Sequence, residues 1–252
     1  MDLFDLTGKV AIVTGGGSGL GHGYSINLAK AGATVVVFGR KEEPLLRTVA
    51  EVKTQGGKAE AMVGDITDIA SIETTVKRVV DTYGHIDILI NNAGTEIAEP
   101  VFEVTEAHFD TIMSVNIKGT YMMAKEVAKY MADQKSGKII NIASLGSFIG
   151  LQDSTVYCSS KGAVMQFTKA LAIELAKYNV QVNAIAPGYF MTEMTKPFFD
   201  DPKHGTWIKE RIPLGYVGTE DELAGTAIFL ASKASDYITG QTILVDGGWM
   251  AG

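Results

Sequence analysis

The stretch KVAIVTGGGSGLGHGYSINLAKAGATVVVFGR, residues 9–40, reads as two short apolar runs separated by a glycine-rich turn and a helix. KVAIV (9–13) and TVVVF (34–38) are nearly continuous apolar segments rich in β-branched residues. Such runs suit parallel strands covered on both faces, because alternation is needed only where one face meets water. The glycines follow the first run and open the helix. No register of them satisfies G-x-G-x-x-G. Gly15, Gly19 and Gly21 instead follow Thr14 in the pattern T-G-x-x-x-G-x-G, with Gly17, Ser18 and Leu20 between them. The physical demand is the same: glycine lets the backbone turn tightly and approach a pyrophosphate, which then sits at a helix N-terminus. A merely flexible loop would explain the composition but not the placement between strand and helix.

Further runs of the same kind recur along the chain: AEAMV (59–63), DILI (87–90), KIINI (138–142), VQVNAI (180–185) and TILV (242–245). Between KIINI and VQVNAI lies GAVMQFTKALAIEL, where Val164, Phe167, Ala170, Leu171 and Leu175 recur at three- and four-residue steps, the mark of a helix with one buried face. Strands alternating with helices predict an α/β fold, a doubly wound, seven-stranded parallel sheet of Rossmann-like form with helices on both faces. No linker, repeat or low-complexity tract divides the chain, so residues 1–252 are read as one domain. The long irregular stretch at about 188–218 is read as a substrate loop, since loops of that length are usually functional.

Composition narrows the function. Of 252 residues, 46% are apolar and 20% charged, ordinary for a globule with a sizeable core. The net charge of −7 and pI of about 5.2 argue against nucleic acid or an anionic membrane surface as partner. One cysteine, Cys158, leaves no internal disulfide and fits a reducing cytoplasm. MDLFDLTGKV has no basic-then-apolar signal pattern. The four histidines, His22, His85, His108 and His204, are scattered, so no metal is expected.

The end of the second strand bears on the nucleotide. An acidic residue there favours NAD by accepting from the ribose, whereas a nearby Arg accommodates the extra phosphate of NADP. Here VVVFGRKEE places Gly39 at the acidic position and Arg40 and Lys41 after it. A guanidinium matches phosphate in a bidentate way, so NADP is expected over NAD. A solvated Arg40 paired with Glu42 or Glu43 is the plainer reading.

STVYCSSKGA (154–163) sets Tyr157 and Lys161 one helical turn apart. Alone, that spacing is an ordinary surface pair. Taken in order, TGGGSGLG, NNAG (91–94), Ser144 in NIASLGS, YCSSK and PGYFMT (187–192) resemble the short-chain dehydrogenase/reductase family, from about Leu6 to Trp249.

The resemblance implies roles at matching positions. Asp65 would hold the adenine by its side chain and Ile66 by its backbone, while Asn91, Ala93 and Gly94 would line the adenine ribose and the crevice. Asn116, Ser144, Tyr157 and Lys161 match the catalytic tetrad, and Pro187, Gly188 and Thr192 would lie beside the nicotinamide. Free tyrosine, with a pKa near 10, exchanges protons poorly at neutral pH. The Lys161 ammonium and an oxidised nicotinamide are expected to lower it, making Tyr157 general acid in reduction and base in oxidation. Ser144 would polarise the carbonyl, Lys161 would bond the nicotinamide ribose, and Asn116 would hold a water.

The C-terminal third is similar to the sugar-acid branch, the gluconate 5-dehydrogenases and 2-deoxy-gluconate 3-dehydrogenases. Its expected chemistry is hydride transfer at a secondary alcohol of a small-molecule sugar acid or polyol. One departure is Tyr216, where relatives often carry arginine. Substrate contacts are expected from Ser144, Tyr157 and Gln152, with Lys196, Lys203, His204 or Arg211 meeting a carboxylate. An apolar lid of Met191, Met194, Phe198, Phe199 and Trp207 would instead suit a hydrophobic ketone or 3-oxoacyl thioester. A nucleotide-sensing protein without catalysis is the alternative from another class. The resemblance also implies a homotetramer.

Overall fold

The computed structural model of the protein describes residues 3–252. Seven strands, β1 (Val10–Thr14), β2 (Thr34–Gly39), β3 (Lys58–Val63), β4 (Ile88–Asn91), β5 (Gly137–Ile142), β6 (Val180–Pro187) and β7 (Thr242–Val245), form one sheet in the order β3-β2-β1-β4-β5-β6-β7. Every pairing is parallel. All seven apolar runs are strands. DILI shifts by one residue, because the Asp87 carboxylate accepts from Lys9 Nζ and Val10 N, both at 2.9 Å, and ends the run.

The helices are α1 (Gly19–Lys30), α2 (Glu42–Thr54), α3 (Ile69–Tyr83), α4 (Glu106–Met113), α5 (Thr120–Gln134), α6 (Thr155–Leu175), α7 (Lys196–Asp200), α8 (Pro202–Arg211) and α9 (Glu220–Ala231). Alternation along β1 divides the core. Ala11 and Val13 pack with Tyr24 and Leu28 of α1, Leu45 of α2 and Leu223 of α9. Val10 and Ile12 face Ile72 of α3, Val127 of α5 and Leu175 of α6. A fully buried side chain of this kind contributes roughly 1.5–3 kcal/mol, so both sheet faces are held by apolar area.

β1 pairs with β2 on one side and β4 on the other, so the strand order reverses between β1 and β4. Ligands of doubly wound sheets bind outside the strand ends at such a reversal. Thr14 pins this point: its hydroxyl accepts from Asn92 N (2.9 Å) and Ala93 N (3.0 Å). The loop read as irregular contains α7 and α8. Asp201 caps α8 by accepting from Lys203 N at 2.9 Å, and Pro202 opens it where its missing N–H costs nothing. Among the described residues no helix is long and apolar enough to cross a membrane.

Candidate active site

A cavity of about 480 Å³ opens at the strand reversal, running from the glycine turn past the end of β2 to Tyr157. The turn is tight: Gly15 N and Gly16 N both bond Phe38 O, at 2.8 and 3.3 Å. Gly15 and Gly19 have φ of +65° and +50°, which side chains adopt only with strain. A Cβ on Gly21 would lie 2.2 Å from Gly15 O, so Gly21 is where the helix presses on the turn. Ser18 precedes α1 but its side chain makes no capping bond, which leaves first-turn N–H groups for an anion. Gly15, Gly17, Ser18, Gly19 and Leu20 line the cavity; Gly21 stands behind them.

Gly39, Arg40 and Lys41 line the next section. Arg40 and Lys41 are exposed, and among the described residues neither forms an ion pair with Glu42 or Glu43. Asp65 and Ile66 also line it, with the Asp65 carboxylate accepting from Thr67 N and Thr67 Oγ1, both at 2.8 Å. Those bonds, and then the Arg40 charge, hold Asp65 below the usual carboxylate range. Ala93 and Gly94 form the opposite wall. Asn91 does not: it is buried behind the wall, donating to Asn141 Oδ1 (2.9 Å) and Thr120 O (3.3 Å).

At the far end, β5 delivers Ser144, an extended residue that starts a short turn over Leu145–Ser147. Ser144 Oγ accepts from Gly146 N at 3.1 Å, and Ser144 N donates to Ser147 Oγ. Ser147 Oγ donates onward to Lys161 O at 2.8 Å, tying the serine to α6. One turn separates Tyr157 and Lys161 on that helix. Lys161 is 5% exposed, and its Nζ donates to Ile142 O at 2.8 Å. A Cβ on Gly94 would sit 3.4 Å from that Nζ, so Gly94 packs directly beside the ammonium.

Electrostatics depart from expectation at Tyr157. Burial pushes the phenol up, a hydrogen bond with Ser144 pulls it down, and the Glu96 charge adds to the rise. The Lys161 ammonium, 5.8 Å from the centre of the Tyr157 ring, donates to a backbone carbonyl and is itself pushed down to about 8 by burial. Tyr157 is therefore protonated in this state, which suits a general acid.

Asn116 lies in a π-helical turn, Ser114–Gly119, between α4 and α5; such turns are frequent at functional sites. Its Nδ2 donates to Thr95 O (2.9 Å) and Ser160 Oγ (3.0 Å), and its Oδ1 accepts from Thr95 N (2.8 Å). The side-chain amide expected to hold a water thus bridges the loop after β4 to α6. Pro187 and Gly188 end β6 beside the cavity, and Thr192 packs its methyl 3.5 Å from where a Gly19 Cβ would be. Gln152 is exposed and lies outside the cavity wall.

Sequence reasoning missed Glu96. Its carboxylate accepts from Ser154 Oγ at 2.6 Å and is pushed up by burial. A carboxylate two residues after a strand-end glycine carries no pattern of its own. Cys158 is likewise pushed up by burial, as an inert thiol is. Among the described residues no cluster of three or more His, Cys, Asp or Glu is placed to hold a metal.

A glycine turn with positive φ at Gly15 and Gly19, a helix N-terminus that Ser18 leaves uncapped and two cations that form no ion pair among the described residues together fit a dinucleotide. A serine, tyrosine and lysine converging beyond it define a dinucleotide-dependent oxidoreductase of secondary alcohols. Residues 15–250 match the family model described as enoyl-(acyl carrier protein) reductase, and the chain belongs to the short-chain dehydrogenase/reductase family. It is 42% identical to the 2-dehydro-3-deoxy-D-gluconate 5-dehydrogenase of Dickeya dadantii, covering 100% of this chain and 99% of that one. It is 38% identical to the gluconate 5-dehydrogenase of Gluconobacter oxydans, covering 98% and 96%. A gluconate 5-dehydrogenase of Burkholderia cenocepacia J2315, solved with NADP and tartrate, superposes with a TM-score of 0.96 at 38% identity, covering 100% and 98%.

Proposed function

We propose that the protein is an NADP(H)-dependent oxidoreductase that interconverts a secondary alcohol and a ketone on a sugar acid. The observation that carries it is the convergence of Ser144, Tyr157 and Lys161 at the end of a cavity that begins in the glycine turn. A bound nicotinamide supplies hydride to the carbonyl carbon, or accepts it from the carbinol carbon. Ser144 donates to the substrate oxygen and fixes its position. Tyr157 gives that oxygen its proton in reduction and removes it in oxidation. Lys161 holds positive charge beside the phenol and reaches the ribose side of the cavity past Gly94. Arg40 and Lys41, which among the described residues form no ion pair, favour a 2′-phosphate, and Gly39 stands where an acidic residue would bond the ribose hydroxyls instead.

The names of the relatives supply the sugar-acid class. Of the apolar-lid residues, Phe198 and Phe199 pack inward against a cluster of Leu145, Ile208, Ile212 and Trp249, while Met194 lines the cavity. A cytoplasmic homotetramer completes the reading. Nicotinamide absorbance tests it, crossing NADP⁺ and NAD⁺ with gluconate, 2-deoxygluconate, neutral polyols and simple secondary alcohols. Turnover of a sugar acid with NADP⁺ is expected. Turnover only with NAD⁺ overturns the cofactor assignment, and reduction of acetoacetyl thioesters without activity on sugar acids overturns the substrate class.

A further inference from the structure

The cations of the substrate loop are not equivalent. Lys196 is spent on both oxygens of Asp200 at 2.8 Å. His204 stacks beside Phe198 and Trp207, with ring centroids at 6.0 and 5.6 Å. Lys209 lines a separate shallow depression with Met191 and Tyr216, and Lys203 stands at the opposite end of α8 from Arg211. Arg211, the last residue of α8, lies over two indole rings, 5.0 Å from Trp249 and 5.7 Å from Trp207.

That platform lies outside the cavity lining and joins the catalytic corner by packing. Trp249 is buried, meets Tyr189 at 5.0 Å, and shares a cluster with Leu145, the residue after Ser144. Among the described residues no carboxylate pairs with Arg211. A guanidinium stacked on an aromatic face keeps its in-plane N–H fork free for a planar anion. The buried Trp249 indole N–H also lacks a partner in the same cluster. The Tyr189 phenol is pushed up by burial and then by the Glu96 charge, while the Arg211 charge pulls it down, so Arg211 is near enough to act on a residue packed against Trp249.

We propose that Arg211, held against the rings of Trp249 and Trp207, anchors the carboxylate of a polyhydroxy acid while a secondary carbon of the same molecule reaches Ser144 and Tyr157. This inference rests on the sugar-acid reading and adds to it the residue that selects acid over neutral polyol.

The test compares the full-length wild type with Arg211→Gln and Arg211→Lys, using gluconate and its neutral counterpart glucitol, with NADPH affinity followed by fluorescence and folding by thermal midpoint. Arg211→Gln is expected to raise the KM for gluconate about 30-fold or more, the size of a lost charge-assisted bond, with NADPH affinity and glucitol kinetics unchanged within about twofold. Arg211→Lys, which keeps charge but not the fork, is expected to lie between and serves if the glutamine variant folds poorly. Wild-type oxidation of gluconate with an unchanged KM in both variants overturns the anchor alone. So does an equal loss on gluconate and glucitol, which marks a structural role. A wild type that turns over no sugar acid overturns the sugar-acid reading and the anchor with it.

Discussion

Tyr157 and Lys161 show how far burial can move ionisable side chains from their usual behaviour. Burial raises the phenol and depresses the ammonium to about 8, so the site rests with a protonated acid beside a cation that discharges just above neutrality. A lysine depressed below its ordinary value is charged below its own pKa and neutral above it. Once it is neutral, nothing positive offsets the charge left on Tyr157 when the phenol gives up its proton. The rate of ketone reduction with NADPH is therefore expected to be level at lower pH and to fall as pH rises through about 8, read from a pH profile of kcat. A profile flat to about pH 10, where free lysine titrates, contradicts the depression. Tyr157→Phe, which removes the proton donor and little volume, is expected to lower kcat at least about 100-fold while NADPH still binds, measured by turnover and fluorescence. The four-residue spacing of this pair was legible because a helix turns every 3.6 residues. The lysine's bond to Ile142 O and the proximity of Glu96 were not, because both depend on contacts between distant segments.

The glycine turn and the strands were the most legible elements, and for different reasons. Strands buried on both faces need apolar residues at nearly every position, so composition alone marks them. The turn needs glycine at particular places. Gly21 has no unusual φ; it is required because α1 packs onto Gly15 O. Gly21→Ala would put a methyl 2.2 Å from that backbone oxygen, and no side chain can move aside to relieve it. The turn must open, at a cost of about 1–3 kcal/mol. A lower thermal midpoint and NADPH affinity weaker by about tenfold or more are expected, read by calorimetry and fluorescence. Gly225 in α9 has open space beyond its Cβ position, so Gly225→Ala is the control that separates crowding from loss of glycine. The π-turn at Ser114–Gly119 and helices α7 and α8 were not legible. A π-turn differs from an α-helix by one hydrogen-bond step and leaves no periodicity of its own. α8 is announced only by its Asp201–Pro202 start, and much of what holds it is the distant Trp249 cluster.

The assembled chain leaves apolar surface uncovered on one set of helices. Phe102 is 99% exposed in the loop before α4, Phe109 of α4 and Tyr121 of α5 are exposed, and so is Ile173 of α6. α4 and α5 both pack against α6, and Tyr121 meets Phe167 at 4.9 Å, so these residues belong to neighbouring elements. β7, the last strand of the sheet order, is half-exposed along all four residues and includes Ile243, Leu244 and Val245. Isolated chains rarely leave contiguous apolar area or a bare sheet edge in water, since either invites association. Two such surfaces on separate elements would allow two different twofold interfaces, the arrangement that the proposed tetramer needs. Light scattering on a sizing column is expected to report four times the chain mass of 26.9 kDa. A twofold interface repeats each substitution against its copy, so Ile173→Asp, which adds buried like charges, is expected to yield a smaller species with nucleotide affinity retained. A wild type that runs as a monomer at micromolar concentration refutes the assembly, and Ile173→Asp that remains tetrameric places the α6 face outside the interface.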